Sequence, residues 1–343
     1  MRYRLLGKTG VYVSELCLGT MTFGGKGFWE PIGQLTASDA EKMIGRAIEA
    51  GINFIDTANA YSEGESERFL GMALGSLKIQ REKVVIATKV RLRMGPGPND
   101  IGLSRKHIFE SVDASLKRLK LDFIDLYQIH GVDEVTPIEQ TMDALCDVVL
   151  SGKVRYIGFC NLPAWFAMKA LAYSQAGGIP AFVSAQMYYS IVSRDIEREI
   201  VPLAQDQNLA ILPWSPLAGG LLTGKFDMVH PGPENARRTK FDFPPVDKER
   251  AKKVIGVLKN VSEKMGISPA RLALAWLLTR PFITSVIIGA KTMEQLNDNL
   301  AATDLEIPPE YITEIEKVSE LPKEYPGWMV SWQNRDRRPE QVK

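Results

Sequence analysis

Cysteine is scarce: three residues in 343, Cys17, Cys146 and Cys160, with no Cys-x-x-Cys pair among them. That excludes a disulfide framework and makes a reducing compartment the expectation. Histidine is equally rare, with only His107, His130 and His230. His107 opens a polar helix and His230 lies in a Gly/Pro-rich loop, so both are expected to be solvated. His130 has no acidic cluster beside it, and no metal site is expected. An excess of charge of either sign is also missing: 42 Lys and Arg stand against 41 Asp and Glu, a net charge of +1. A chain so balanced lacks the basic footprint of a nucleic-acid binder. No apolar run is long enough to span a bilayer, and Met1–Leu6 is charged and enters structure at once rather than forming a leader. The expectation is a cytoplasmic protein with neither membrane nor nucleic-acid partners. Oligomeric state leaves no readable mark.

What is present is ordinary globular composition, 45% hydrophobic and 24% charged, in a chain long enough for one large α/β barrel or two medium domains. Arg4 to Val13 reads as a hairpin around a Gly-containing turn. Eight short apolar, β-branched runs follow: Leu16–Gly19, Asn53–Asp56, Val84–Lys89, Phe123–His130, Val154–Phe159, Val183–Gln186, Ala210–Trp214 and Val286–Gly289. Helical patterns separate them. Ser38-Asp39-Ala40-Glu41 looks like a capping box ahead of apolar Met43, Ile44, Ala47 and Ile48, with Gly51 beyond the end. Thr136-Pro137 opens another helix with proline at its first position, and Gly152 closes it. Strands alternating with helices in this way predict right-handed βαβ units. Eight units without a composition break predict a single (β/α)8 TIM barrel over 1–343, closed at its bottom by the hairpin. An open two-domain α/β chain is the alternative. Two segments exceed plain turns, Pro216 to about Val246 and the tail 321–343, and both are expected over the barrel mouth.

Active sites of such barrels lie at the C-terminal strand ends. Those ends carry Asp56, Lys89, His130, Asn161, Gln186 and Trp214-Ser215. Lys89 could simply snorkel to solvent, and Asp56 could be a turn residue. A carboxylate and an ammonium on neighbouring strands would instead pair, as a buried lysine requires. Tyr61 follows Asp56 on the loop above the strand. A phenol with an ordinary pKa of about 10 gives up its proton poorly unless something stabilises the phenolate. Lys89 is the natural candidate.

Asp56-x4-Tyr61, Lys89 after a strand and His130 in Tyr-Gln-Ile-His resemble the catalytic tetrad of the aldo-keto reductases in order and context. Gly19-Thr20-Met21, Gly158-Phe159-Cys160-Asn161, Gln186-x2-Tyr189, Trp214-Ser215-Pro216-Leu217 and Gly289-Ala290-Lys291-x7-Asn299 extend the resemblance over nearly the whole chain. It implies an NADPH-dependent oxidoreductase acting on aldehydes or ketones. In that case Tyr61 is the proton donor acidified by Lys89, Asp56 holds the lysine, and His130 orients the carbonyl oxygen. It also implies an NADP(H) pocket from Gly19, Thr20, Met21, Asp56, Cys160, Asn161, Gln186, Trp214, Ser215, Pro216, Leu217, Gly219, Lys225 and Arg237. At the adenylate end stand Gly289, Lys291, Gln295, Asp298 and Asn299, with Asp298 and Asn299 on the adenine.

The chain departs from the family pattern at Cys160, commonly serine, and at Trp214, commonly tyrosine. A thiol bonds a carboxamide more weakly than a hydroxyl does, whereas tryptophan stacks as well as tyrosine. Many relatives also carry arginine where this chain has Gln295. A substrate pocket is expected from Phe28, Trp29, Tyr61, His130 and Trp332, favouring a bulky or hydrophobic carbonyl compound.

Gly219-x4-Gly224-Lys225 nearly spells a P-loop, but Phe226 replaces the magnesium-binding hydroxyl. No Gly-x-Gly-x-x-Gly fingerprint occurs, so a nicotinamide cofactor is held without a Rossmann unit. Two rivals share the fold. One is a redox-sensing regulatory subunit like the potassium-channel β-subunits, whose N-terminal inactivating segment is not expected here. The other is an enzyme running toward oxidation of an alcohol or sugar.

Overall fold

The computed structural model describes residues 1–227, 232–234 and 236–335, and His230 lies outside them. Two short strands, β1 (Tyr3–Leu5) and β2 (Tyr12–Ser14), pair antiparallel. Eight parallel strands follow: β3 (Leu16–Gly19), β4 (Phe54–Asp56), β5 (Val85–Val90), β6 (Ile124–Ile129), β7 (Val154–Cys160), β8 (Phe182–Tyr188), β9 (Ala210–Trp214) and β10 (Val286–Ile288). Each pairs with its sequence neighbour, and β10 returns to β3. Between β9 and β10 the ring is joined by a parallel bridge from Ile211 to Ile283, where the Thr284 N–H donates to the Ile211 carbonyl at 2.9 Å. This is the (β/α)8 barrel. Helices cover the outer faces of the strands, so both faces are buried and the runs are apolar without strict alternation.

The barrel interior and the hairpin share one apolar cluster. Leu6 and Val13 meet Cys17, Phe54, Ala87, Leu126, Val183, Ala210, Leu212 and Ile287. Gly7, with φ +57°, lies so close to the starts of β8 and β9 that an added Cβ would stand 2.4 Å from the Val183 carbonyl oxygen. Arg4 seals the edge by donating to the carbonyls of Leu278, Arg280 and Ile283 at 2.9, 3.4 and 2.5 Å. The hairpin therefore closes the N-terminal end, and the C-terminal strand ends remain for chemistry.

Three local expectations shift. The helix Ala37–Glu49 is capped by Thr36 rather than by a box at Ser38. Thr36 Oγ1 accepts from the Asp39 N–H at 3.2 Å, and Asp39 accepts from the Thr36 N–H at 3.2 Å. A Thr-x-x-Asp box two residues upstream satisfies the same orphan donors. Pro137 is the N-cap of the helix Ile138–Leu150, one position before its first residue. His107 is buried rather than solvated, 4% exposed, with its Nε2 3.3 Å from Ser111 Oγ. Among the described residues no helix is long and apolar enough to cross a membrane.

Candidate active site

Asp56 ends β4 and Lys89 lies near the end of β5, so the topology sets them side by side at the C-terminal end. Lys89 is fully buried, yet its Nζ has three acceptors: Asp56 Oδ2 at 2.6 Å, the Thr57 carbonyl at 2.8 Å and Tyr61 Oη at 3.2 Å. An ammonium has three protons, so all are used. The other carboxylate oxygen, Asp56 Oδ1, accepts from Gln128 Nε2 at 3.1 Å and Gln186 Nε2 at 2.8 Å. A buried ion pair is sustained only when its remaining valences are met in this way. Burial pulls the Lys89 ammonium down, but the charge of Asp56 outweighs it and holds the pKa above the usual lysine value.

Tyr61 begins a tight turn in which Ser62 and Glu63 take left-handed conformations, with φ 49° and 57°. The strain is held by hydrogen bonds: Ser62 Oγ donates to the Phe23 carbonyl and accepts from the Gly25 N–H, both at 2.9 Å. Beneath it, Ser66 Oγ ties Thr20 Oγ1 at 2.7 Å and Thr57 Oγ1 at 3.0 Å into one buried knot. The Tyr61 phenol, 7% exposed, is pushed up to about 12 by burial, although Lys89 pulls it down. Lys89 thus offsets part of the burial effect rather than acidifying the phenol outright, and Tyr61 keeps its proton at neutral pH.

His130 follows β6, and its ring centroid lies 5.9 Å from that of Tyr61. Its Nδ1 is buried without a partner. Burial, with Lys89 and Arg91 adding to it, holds the imidazole well below its ordinary value. A neutral ring carries a single N–H for donation. Any activity centred here is therefore expected to show no titration limb near pH 6.5 in kcat/KM. A limb there that disappears in His130→Gln would contradict a neutral His130.

Gln128 was not singled out from the sequence, although it joins Asp56 and lies near Cys160 and Gln186. The available signal was parity: it stands two residues before His130 and pairs in register with Lys89. The Cys160 thiol is fully buried, 3.9 Å from Gln128 Oε1, and burial raises its pKa, so it stays neutral. Asn161, left-handed with φ 55°, accepts from Trp214 Nε1 at 2.9 Å, and its Nδ2 faces the His130 carbonyl at 3.5 Å. Ser215 Oγ accepts from the Gly219 N–H at 3.0 Å. An added Cβ on Gly219 would meet the Phe243 carbonyl oxygen at 2.4 Å, so a glycine is required where the long loop folds back. Arg238 holds that fold, donating to the Ala218 and Pro244 carbonyls at 2.7 and 2.9 Å.

A second group of residues collects beyond the mouth. The helix Met293–Leu300 is capped by Thr292, whose Oγ1 accepts from the Gln295 N–H at 3.2 Å. Gln295 Oε1 accepts from the Lys291 N–H at 2.9 Å, and Asn299 Nδ2 donates to the Gly289 carbonyl at 3.2 Å. Burial, then Arg237, Lys240 and Lys225, lower the Lys291 pKa. Arg237 is itself lowered to about 10 by burial and Arg238, and its Nε is buried without a partner. Arg237, Lys240 and Lys225 thus stand near enough to Lys291 to disfavour its charge, an arrangement that suits a polyanion.

Phe28, Trp29, Phe241, Phe243 and Trp214 form a run of ring contacts across the mouth, with centroid separations of 5.3, 5.4, 5.6 and 5.9 Å along it. Trp29 sets its ring edge-on to Tyr61 at 4.9 Å. Phe241 and Phe243 were not foreseen, because only the folded loop brings them there. Trp332 lies on the short helix Gly327–Gln333, 56% exposed, with the Arg335 guanidinium over its ring. Among the described residues no group of three or more His, Cys, Asp or Glu could hold a metal ion.

The sequence profile described as the Aldo/keto reductase family matches residues 15–320. The chain is 38% identical to "Uncharacterized oxidoreductase YrpG" of Bacillus subtilis, over 91% of this chain and 94% of the relative. It is 34% identical to "Versiconal hemiacetal acetate reductase" of Aspergillus parasiticus, over 92% and 96%. A "Probable voltage-gated potassium channel subunit beta" of Oryza sativa is 35% identical over 93% and 96%.

Proposed function

The chain belongs to the aldo/keto reductase family, and from that premise we propose that it reduces an aldehyde or ketone to the alcohol with NADPH. The observation that carries this is the satisfied Asp56–Lys89–Tyr61 cluster, which keeps a proton on Tyr61 beside a fixed cation. NADPH, when bound, supplies the hydride for the carbonyl carbon. Tyr61 gives its proton to the carbonyl oxygen as charge develops there, and Lys89 stabilises the phenolate left behind. Asp56 keeps Lys89 charged and in place, and neutral His130 donates a hydrogen bond to the same oxygen. Donors aimed where charge appears in the transition state lower the barrier more than they strengthen substrate binding. Solvent then reprotonates Tyr61.

The cation cluster fits the cofactor. Lys225 and Arg237 would face the pyrophosphate, and Lys291, beside the start of the helix 293–300, would face the 2′-phosphate. Trp214 and Asn161 would hold the nicotinamide, and the rings of Phe28, Trp29, Phe241 and Phe243 would favour a bulky apolar carbonyl compound. Lys291→Ala is expected to raise the KM for NADPH several-fold or more, in line with loss of one exposed charge-assisted contact. The KM for NADH should barely move. Equal losses with both cofactors would show that Lys291 does not read the 2′-phosphate. A regulatory role, suggested by the likeness to the channel subunit, uses the same pocket. Failure to turn over any of a broad set of aldehydes and ketones while still binding NADPH would favour it.

A further inference from the structure

A cavity of about 910 Å³ opens at the start of the helix 293–300, lined among others by Lys225, Ser268, Arg271, Thr292, Gln295 and Asp298. If this is the adenylate end of an NADP(H) pocket, as proposed above, its polar inventory is uneven. Gln295 is neutral, and its oxygen is committed to the Lys291 N–H. The N–H of Gln295 is committed to Thr292. Among the described residues one guanidinium lines the cavity, and it comes from a different helix, Pro269–Leu278.

That guanidinium is held along one edge. Arg271 Nε and Nη2 donate to Asp298 Oδ1 at 3.1 and 2.8 Å, and Ser268 Oγ donates to Asp298 Oδ2 at 2.5 Å. The backbone N–H of Arg271 in turn donates to Ser268 Oγ at 3.0 Å. Both oxygens of Asp298 are therefore occupied, and the Arg271–Asp298 pair is partly exposed, at 32% and 26% for the two side chains. Fixing Nε and Nη2 on one acceptor sets the guanidinium plane and leaves Nη1 for a ligand. A guanidinium fixed in plane matches phosphate geometry better than a flexible point charge.

We infer that Arg271 is a specificity-determining residue for a nucleoside 2′-phosphate, supplying from the helix 269–278 the guanidinium that Gln295 lacks, with Asp298 as its brace. Asp298 then acts by orienting Arg271 rather than by contacting adenine. The inference rests on the NADP(H) reading, and the test separates the two.

Dissociation constants of NADP⁺, NAD⁺ and adenosine 2′-monophosphate would be measured by titration calorimetry on the full chain. The set comprises wild type, Arg271→Gln, Asp298→Asn and Lys291→Ala. Arg271→Gln is expected to weaken NADP⁺ and adenosine 2′-monophosphate by about tenfold or more, as for loss of a charge-assisted contact, while NAD⁺ stays within about twofold. Asp298→Asn, which keeps the guanidinium but loosens its brace, should give a smaller loss confined to the same two ligands. If Arg271→Gln leaves NADP⁺ binding intact while Lys291→Ala weakens it, the assignment of Arg271 fails and the pocket reading stands. Losses in Arg271→Gln that are equal for NADP⁺ and NAD⁺ also overturn it. If wild type binds NADP⁺ no better than NAD⁺, the cofactor reading itself falls, and Arg271 with it.

Discussion

Tyr61→Phe is expected to lower kcat for carbonyl reduction by about 10²–10⁴-fold, the usual range for a positioned proton donor, while NADPH binding changes little. The substitution removes one oxygen from a ring whose other contacts survive it, edge-on to Trp29 at 4.9 Å and His130 at 5.9 Å and face-on to the Lys89 ammonium at 4.8 Å. Lys89 keeps two of its three acceptors, Asp56 and the Thr57 carbonyl. The cation cluster near Lys291 is untouched. The loss should therefore fall on kcat and kcat/KM together, the signature of an interaction made in the transition state. Steady-state kinetics with a good aldehyde, beside a fluorescence titration with NADPH, would measure both. A Tyr61→Phe variant that reduced the aldehyde at near wild-type rate would remove Tyr61 from the proton-donor role.

The fold was legible because its signals are short-range. Each barrel strand is buried on both faces, so each appears in the sequence as an apolar run. The polar residues that interrupt those runs at their ends, Asp56, Lys89 and His130, mark the mouth. Their mutual distances depend only on strand order, which the βαβ rule supplies. What the sequence hid is what depends on elements meeting in space. Thr36 and Ser38 both satisfy a cap pattern, and only the backbone selects Thr36. His107 sits in a helix rich in charged residues, yet it is on the buried side. Phe241 and Phe243 reach Phe28 and Trp214 because Arg238 folds the long loop back, and nothing local in that loop announces it. Arg271 lies 27 residues before Asp298 on another helix, a partnership no spacing rule would suggest.

Asp56→Asn is expected to lower unfolding free energy by about 3–5 kcal/mol, the usual cost of leaving one member of a buried ion pair without its partner. In asparagine Oδ1 can still accept from Gln128 and Gln186, but Nδ2 then faces the Lys89 ammonium, so the loss combines the missing charge with a donor set against a donor. Wild-type Lys89 has a folded pKa above the ordinary lysine value. The stability it contributes is therefore complete below about pH 10.4, the unfolded value, and is lost only as pH rises through the folded one. In the variant, burial acts on Lys89 with no carboxylate to oppose it, and the folded pKa should drop below the unfolded value. The unfolded chain then binds the extra proton, and stability should climb with pH across the window between the two values. Urea denaturation at pH 7 and pH 9.5 would show the midpoint of Asp56→Asn rising relative to that of wild type, which itself declines above about pH 8.5 because burial raises the Cys17 and Cys160 thiols. Adding Lys89→Met to Asp56→Asn removes the stranded ammonium, so the double variant should regain much of the lost stability while remaining inactive. A single variant within about 1 kcal/mol of wild type, with no pH dependence of its own, would mean that water reaches Lys89 and that the pair is not the buried, mutually dependent unit its geometry describes.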